Sequence, residues 1–270
     1  MMKQPEFWRK ALKWIGLSVA AMAIALLPLA FPAISHSVAP HYSSPQASPH
    51  STPKPATATL RPVPLATLPG LKEDFFTPVE EVAAADPSNY GYRYLTDIDG
   101  NPADNPMIVV LHETVGSASS AINTMQAYHA NDNDQVSYHS IIRRNGNIVH
   151  LVHPQMRAFG AGNSVFHGAN GSETVRTNPD FPGSVNNFAY HTSLETPGDG
   201  RGNQRYHSGY TEAQYESLAW LVAHLPVPDE RITTHKAVDQ SNSRMDPRSF
   251  DGSKLIKLIH EYDRSAVLAQ

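Results

Sequence analysis

The pattern of apolar and polar residues after residue 106 predicts several β-strands. Residues 107–111 are all apolar, as is typical of a strand that is covered on both faces. Residues 136–144 and 147–152 are predicted as two strands on either side of Asn145-Gly146. That pair favours a hairpin with a type I′ turn, because the turn needs a positive φ at both central residues. Further strands are predicted at 188–195 and 232–234.

Helical periodicity appears between these strands. Residues 119–130 place Ile122, Met125 and Tyr128 on one side of a predicted helix. A short helix is also expected near 79–85. The Gly/Asn-rich stretch 153–187 is expected to be a long loop.

Two later helices are marked by their caps. In residues 211–225, Thr211 and Gln214 form a predicted capping box ahead of a stripe of leucine and valine. Asp251 can cap a last helix that runs to about residue 264. Strands and helices in this order predict an α/β fold with a central mixed sheet flanked by helices.

The first seventy residues follow a different pattern. Four basic residues precede an uncharged run of 21 residues, 14–34, which is close to the roughly 20 that span a bilayer. Small residues at Ala33 and Ser35 suit a signal peptidase, so residues 1–35 are predicted to be a signal peptide or an uncleaved N-terminal anchor. Pro28 and Pro32 favour the signal peptide, because they break a spanning helix. The Pro/Ser/Thr-rich residues 36–70 are predicted to be a disordered tether, which leaves 71–270 as the folded domain.

Charge and composition narrow the function classes. Residues 1–72 carry seven Lys/Arg and one acid, a net +6, whereas residues 73–270 carry 14 basic and 24 acidic residues, a net −10. An acidic body argues against a partner of duplex nucleic acid. The chain has no cysteine, which excludes disulfides, thiolate metal ligands, a cysteine nucleophile and a lipid-modified N-terminal cysteine. Histidine is the unusual residue, with 14 in the chain.

Two histidines stand where predicted strands end. His112 follows residues 107–111, and His235 follows 232–234. Functional sites of open α/β sheets gather at the carboxyl ends of strands. Asp246 comes 11 residues after His235, and the following Pro247 favours an extended backbone there. Two imidazoles and one carboxylate suit an open zinc site, in which zinc lowers the pKa of water towards ~7, although the spacing alone is a weak signal.

Six segments in order carry a resemblance to a known family. They are VVLHET (109–114), VSYHSIIRRNGNIVHLV (136–152), RAFGAG (157–162), NNFAYHTSLE (186–195), YTEAQYESLAWLV (210–222) and ITTHKAVDQSNSRMDPRSFD (232–251). The chain resembles the zinc-dependent N-acetylmuramoyl-L-alanine amidases of the amidase-2 family, which share a fold with phage-lysozyme-type amidases and peptidoglycan recognition proteins. The resemblance implies one zinc ion per domain, with His112, His235 and Asp246 as its ligands.

The resemblance also implies catalytic residues, and it leaves the general base open. Arg244 stands where the family usually has lysine, and its guanidinium can still stabilise an oxyanion. Tyr138 stands at the position of a tyrosine in phage-type and recognition-protein enzymes. The catalytic glutamate of the cytosolic recycling branch is replaced by Ser193, and Glu195 lies two residues on, on the same face of a predicted strand. Either Tyr138 or Glu195 is therefore the expected proton carrier.

Two further positions are not assigned a catalytic role. A family histidine in the segment RAFGAG is replaced by Gly160, and His167 in the following loop is a candidate substitute. Glu113 points away from His112 if the strand persists, so a structural role is expected for it.

The implied activity is hydrolysis of the amide between N-acetylmuramic acid and L-alanine in peptidoglycan or muropeptides. The alternative is a non-catalytic peptidoglycan-binding module of the same fold, which the three filled ligand positions disfavour. The expected partners are a peptidoglycan or muropeptide substrate and no nucleic acid, with the chain acting as a monomer. The N-terminal segment predicts export to the periplasm or cell envelope, with membrane attachment through that segment if it is not cleaved.

Overall fold

The computed structural model describes residues 76–269. The signal peptide or anchor predicted at 1–35 and the tether predicted at 36–70 lie outside these residues. Among the helices of the described part, none combines the length and apolar character needed to cross a membrane.

The described residues form ten strands and five α-helices, with four short 3-10 turns between them. The strands are β1 (Glu80–Val82), β2 (Tyr90–Tyr92), β3 (Ile108–Glu113), β4 (Ser140–Ile142), β5 (Ile148–His150), β6 (Met156–Ala158), β7 (Phe166–Gly168), β8 (Gly171–Glu173), β9 (Ala189–Leu194) and β10 (Ile232–Thr234). The helices are α1 (Ala118–Gln126), α2 (Glu212–Ala223), α3 (His235–Val238), α4 (Gly252–Ile259) and α5 (Ser265–Leu268).

Six strands form one sheet in the order β1-β5-β4-β9-β3-β10. β3 runs parallel to β9 and β10, β9 runs parallel to β4, and β1 runs parallel to β5, whereas β4 and β5 are antiparallel. The sheet is therefore mixed, and the predicted fold class is confirmed. Two small antiparallel pairs, β2 with β6 and β7 with β8, lie outside it.

The two faces of β3 pack against different layers. Val109 and Leu111 lie in one buried cluster with residues of α2 and α4, such as Leu218 and Leu255. Ile108 and Val110 point to the other face, into a cluster with Phe166, Val185 and Val238. Because side chains alternate along a strand, His112 continues the second series and Glu113 continues the first.

The local signals for the later elements are confirmed. Thr211 and Gln214 form the capping box of α2, with both reciprocal bonds present. β10 spans the predicted residues, and the carboxylate of Asp251 accepts the N–H of Lys254 at the start of α4. That helix ends at Ile259, earlier than predicted, and α5 follows after a turn.

Three predictions for the first part of the domain are wrong, because contacts with distant segments decide the structure there. Residues 80–82 form the edge strand β1 instead of a helix, because they pair in parallel with β5. α1 ends at Gln126, since Asn89 donates to the carbonyls of Met125 and Ala127, so Tyr128 is 73% exposed. The stretch 153–187 is not one long loop, because it contains β6, β7 and β8.

The β4–β5 hairpin forms, but not with a type I′ turn. Of the two turn residues, Gly146 alone has a positive φ, +89°, and its N–H donates to the carbonyl of Arg143 at 2.9 Å. This is a three-residue loop closed by a left-handed glycine. A Cβ at Gly146 would lie 2.9 Å from the carbonyl oxygen of Ala213, so the close packing of α2 also requires glycine here.

Candidate metal centre

The three predicted metal ligands meet at the carboxyl ends of two neighbouring strands. Thr234, the last residue of β10, is in register with Leu111 of β3, so His235 and His112 emerge side by side. Their rings lie 4.6 Å apart, edge to face. One ligand atom from each of His112, His235 and Asp246 falls within 4.8 Å of the others.

Asp246 closes the group from a separate loop. Its Oδ2 lies 3.0 Å from Nδ1 of His235 and 3.3 Å from Nδ1 of His112. Its backbone carbonyl accepts the N–H of Lys236, which ties this loop to the start of α3. The side chains of His112, His235 and Asp246 are 0%, 9% and 12% exposed, so the group is largely buried.

This donor set fits a zinc ion. Two imidazoles and one carboxylate leave a fourth position open, as in catalytic zinc sites. Nδ1 of His112 is buried and has no hydrogen-bond partner among the described residues, although it faces Asp246. A buried lone pair without a donor is a costly arrangement that a metal ion would satisfy.

The electrostatics give the ligands the protonation states that a metal needs. Burial, aided by the neighbouring His235, lowers the pKa of His112 to about 4. Burial alone would raise the pKa of Asp246, but the contacts of its carboxylate with His112 and His235 hold it far below its ordinary value. At neutral pH His112 is therefore neutral and Asp246 is ionised, which leaves lone pairs for a cation.

Tyr138 and Arg244 lie beside the ligand group. The ring of Tyr138 stacks on that of His112 with centroids 4.5 Å apart. Burial, and then the charge of Asp246, raise the pKa of Tyr138 above its ordinary value, so its phenol stays protonated. Arg244 is exposed, and it lines the same groove as His235.

Glu195 lies elsewhere. β9 ends at Leu194, and the carboxylate of Glu195 accepts the backbone N–H of Ala118 at 3.1 Å and that of Arg144 at 3.1 Å. It thereby joins the start of α1 to the β4–β5 hairpin. The metal-ligand group of the described residues does not include it.

A third histidine, which the sequence did not single out, touches the group. Nδ1 of His191 on β9 lies 2.9 Å from Nε2 of His112, and its ring is fully buried. The pairing of β9 with β3 places it diagonal to His112 on the same face. His167, the candidate substitute for the missing family histidine, is exposed on β7, and its Nδ1 lies within hydrogen-bond distance of Ser172 instead. The register of β9 was the signal that could have identified His191.

Glu113 faces the opposite side of β3, as expected for a structural residue. Its carboxylate accepts from the guanidinium and the backbone N–H of Arg248, from Thr196 and from Tyr210. His207 lies 3.2 Å from the same carboxylate. Arg248 lies two residues after Asp246 in the sequence, so this buried network holds the Asp246 loop against the end of β3.

A groove of about 520 Å³ opens beside the ligand group. Its lining includes the ligand His235, and Arg244, Arg157 and Phe159 line it as well. Asp132 and Asp134 also line the groove, and asparagine is the commonest residue of the remaining lining. Such a groove suits a polar ligand that carries charges of both signs.

The model of the family Amidase_2, described as N-acetylmuramoyl-L-alanine amidase, matches residues 102–249. No curated protein gave a significant match to the chain.

Several solved structures are similar to this chain. A selenomethionine derivative of AmpD has a TM-score of 0.46 at 23% identity and covers 70% of this chain and 98% of its own. The N-acetylmuramoyl-L-alanine amidase LysC from Clostridium intestinale URNW has a TM-score of 0.43 at 18% identity, with 68% and 99% covered. AmiD from E. coli, in complex with a substrate, has a TM-score of 0.44 at 23% identity, with 57% of each chain covered.

Proposed function

The chain belongs to the Amidase_2 family of N-acetylmuramoyl-L-alanine amidases, and on that premise we propose that it is a zinc-dependent enzyme of peptidoglycan turnover. Its reaction is hydrolysis of the amide between the lactyl group of N-acetylmuramic acid and L-alanine. The observation that carries the zinc dependence is the convergence of His112, His235 and Asp246 within 4.8 Å at the edge of a polar groove.

The side chains divide the chemistry among them. His112, His235 and Asp246 would hold one zinc ion, which would supply Lewis-acid polarisation of the scissile carbonyl and a lowered pKa for water. The guanidinium of Arg244 stabilises the negative charge that develops on the carbonyl oxygen. As the carbon–nitrogen bond breaks, the proton that the attacking water gives up must reach the leaving amine, and we assign this transfer to Tyr138, whose ring stacks on that of His112.

Tyr138 is the better candidate for proton transfer than Glu195. Its ring stacks on a metal ligand, whereas both carboxylate oxygens of Glu195 accept backbone N–H groups. A carboxylate whose two oxygens both accept backbone N–H groups is already partnered and has no free oxygen to exchange a proton with the substrate.

The groove suits a muramoyl peptide. Such a substrate carries amides, hydroxyls and carboxylates, and Arg157 and Arg244 supply cations along the groove. The ligand set comes from one chain, so we propose that the enzyme acts as a monomer.

The N-terminal segment decides where the enzyme meets its substrate. We propose that residues 14–34 direct export to the periplasm or cell envelope, after which the chain is cleaved near Ser35 or stays anchored by this segment. Fractionation of cells that express the full chain, with mass measurement of the mature N-terminus, separates the two outcomes. Retention of the chain in the cytosol would contradict export.

Digestion of purified peptidoglycan and of soluble muropeptides tests the activity. The full chain, kept in mild detergent for its apolar segment, should release free peptides with an N-terminal L-alanine. A chelator should abolish this release, and added zinc should restore it. His112→Ala should be inactive, whereas the matched variant His150→Ala, which loses only an exposed pair with Glu80, should behave as wild type.

The same experiment distinguishes the binding-module alternative. Zinc-loaded protein that sediments with peptidoglycan but releases no peptide would identify a binder. Full activity of His112→Ala or of the chelated protein would overturn the zinc mechanism.

A further inference from the structure

Each ring nitrogen of His112 faces a different neighbouring side chain. Nδ1 faces the carboxylate of Asp246 at 3.3 Å, and Nε2 lies 2.9 Å from Nδ1 of His191. A hydrogen bond between two ring nitrogens contains one proton, and a metal ligand must offer a lone pair on the nitrogen that binds. A metal ion on Nδ1 of His112 therefore requires that Nε2 carries the proton and donates it to His191.

His191 is itself held in place from the next strand. Its backbone N–H donates to Nδ1 of His139 at 2.9 Å, and the two rings lie nearly parallel with centroids 6.0 Å apart. Because Nδ1 of His139 accepts, the proton of that ring is on Nε2, which donates to the carbonyl of Met156 at 3.2 Å. Both imidazoles are fully buried, so neither can turn towards water.

Gly160 provides the space that His191 fills. A Cβ at position 160 would lie 2.5 Å from both Cγ and Nδ1 of His191, well inside contact distance. Any larger residue at 160 must therefore displace the ring from His112. The two positions are therefore coupled, because the ring that β9 supplies occupies the space that a side chain at 160 would need.

We propose, on the basis of the zinc site in the proposed function, that His191 is a positioning residue for the metal ligand His112. It holds His112 in the tautomer and ring orientation that present Nδ1 to the metal, and Gly160 is its required neighbour. Hydrogen bonds of this kind behind a ligand histidine are worth roughly 10–100-fold in metal affinity.

The tautomer can be read in the wild-type protein. In full-length protein loaded with zinc and labelled with ¹⁵N-histidine, nitrogen shifts and two-bond couplings should show His112 bound through Nδ1 and protonated at Nε2. Metal binding through Nε2 of His112 would overturn the proposal without any substitution.

Zinc affinity, measured by competition with a chromophoric chelator, tests the hydrogen bond. His191→Leu keeps much of the volume but removes the acceptor, so the Kd should rise roughly 10–100-fold. His191→Asn keeps an acceptor near the place of Nδ1 and should stay within about 3-fold of wild type. His167→Leu is the matched control on an exposed histidine and should leave the affinity unchanged.

The outcomes separate this inference from the proposed function. Failure of the wild-type protein to bind zinc would refute the zinc site of the proposed function. Wild-type binding with an unchanged Kd in His191→Leu overturns only the role of His191.

Substitution at Gly160 gives an independent test if His191→Leu does not fold. Gly160→Ala should weaken zinc binding because its Cβ displaces the ring of His191. The exchange Gly160→His/His191→Gly, which returns an imidazole to the same space, should recover at least part of the loss. A Gly160→Ala variant with wild-type affinity would contradict the coupling.

Discussion

Replacing Arg248 by methionine perturbs the buried ion pair that it forms with Glu113, behind the candidate metal centre. Arg248 and Glu113 are 5% and 2% exposed, and two nitrogens of the guanidinium donate to the carboxylate. The same guanidinium donates to the carbonyls of Gly200, Gly202 and Gln204, so it also holds the loop that follows β9. Methionine keeps the aliphatic stem but leaves the carboxylate of Glu113 buried without a cation.

The expected cost follows from that burial. Removal of one partner from a buried ion pair costs about 3–5 kcal/mol, because the remaining charge loses its compensation. In a domain of roughly 200 residues, 1 kcal/mol corresponds to about 2–4 °C in Tm. We therefore expect the Tm of Arg248→Met to fall by roughly 6–20 °C.

Thermal unfolding of the full chain, followed by circular dichroism at pH 7 with chelator present, measures this cost without a contribution from bound metal. Arg143→Met is the matched control, because the side chains of Arg143 and Glu81 are 29% and 41% exposed. Exposed pairs contribute about 0.2–1 kcal/mol, so its Tm should change by no more than about 4 °C. The double variant Glu113→Gln/Arg248→Met, which has no uncompensated charge, should recover part of the loss. Equal Tm values for Arg248→Met and Arg143→Met would refute the reasoning.

Three other predictions use different parts of the molecule. Gly146→Ala imposes a φ of +89° on alanine and a 2.9 Å contact with a carbonyl of α2, so urea unfolding should show a loss of about 1–3 kcal/mol. Gly252→Ala, with open space at its Cβ, should change stability by less than about 0.5 kcal/mol. Burial lowers the pKa of His139 to about 3, so the unfolded chain, with a pKa near ~6.5, takes up the proton first as the pH falls. In chelated protein, the contribution of His139 to the free energy of unfolding should be constant above pH ~6.5 and should fall by about 2 kcal/mol by pH ~5. A free energy of unfolding from urea titrations that does not change between these pH values would contradict the prediction. Tyr138→Phe should lower kcat at least ~10-fold more than Glu195→Gln does, and the reverse order would assign proton transfer to Glu195.

The elements that the sequence predicted best are those with local signals. The capping box of α2 involves Thr211 and Gln214, three residues apart, and the cap of α4 involves Asp251 and Lys254, also three apart. β1 was missed because its reason to be extended is its pairing with β5, almost seventy residues away in the sequence. The end of α1 was misplaced for the same reason, since Asn89 terminates it from outside the helix.

The residues of the candidate site likewise fall into those that local sequence signals identified and those that only the tertiary structure revealed. The positions of His112 and His235 at strand ends, and the resemblance of the segment around Asp246, identified a ligand set whose atoms the structure brings together. His191 was missed because the alignment of β9 with β3 decides that it reaches His112, across a separation of 79 residues. Glu195 was predicted to lie on the same face as Ser193 because the alternation of the strand was extended past Leu194. In the structure β9 ends at Leu194.

The sequence by itself determined which chemical groups are available: two histidines at strand ends, a carboxylate in place of any thiolate because there is no cysteine, and helices with their own caps. Only the tertiary structure decided how those groups are used. It placed Arg248 against Glu113 across 135 residues, gave Glu195 to backbone donors, and set His191 behind His112 in the space left by Gly160. The physical reason is the sequence separation over which each kind of interaction acts. Caps and periodicity depend on neighbours within a turn or a strand, whereas hydrogen-bond partners in a buried site depend on strand register and close packing between distant segments.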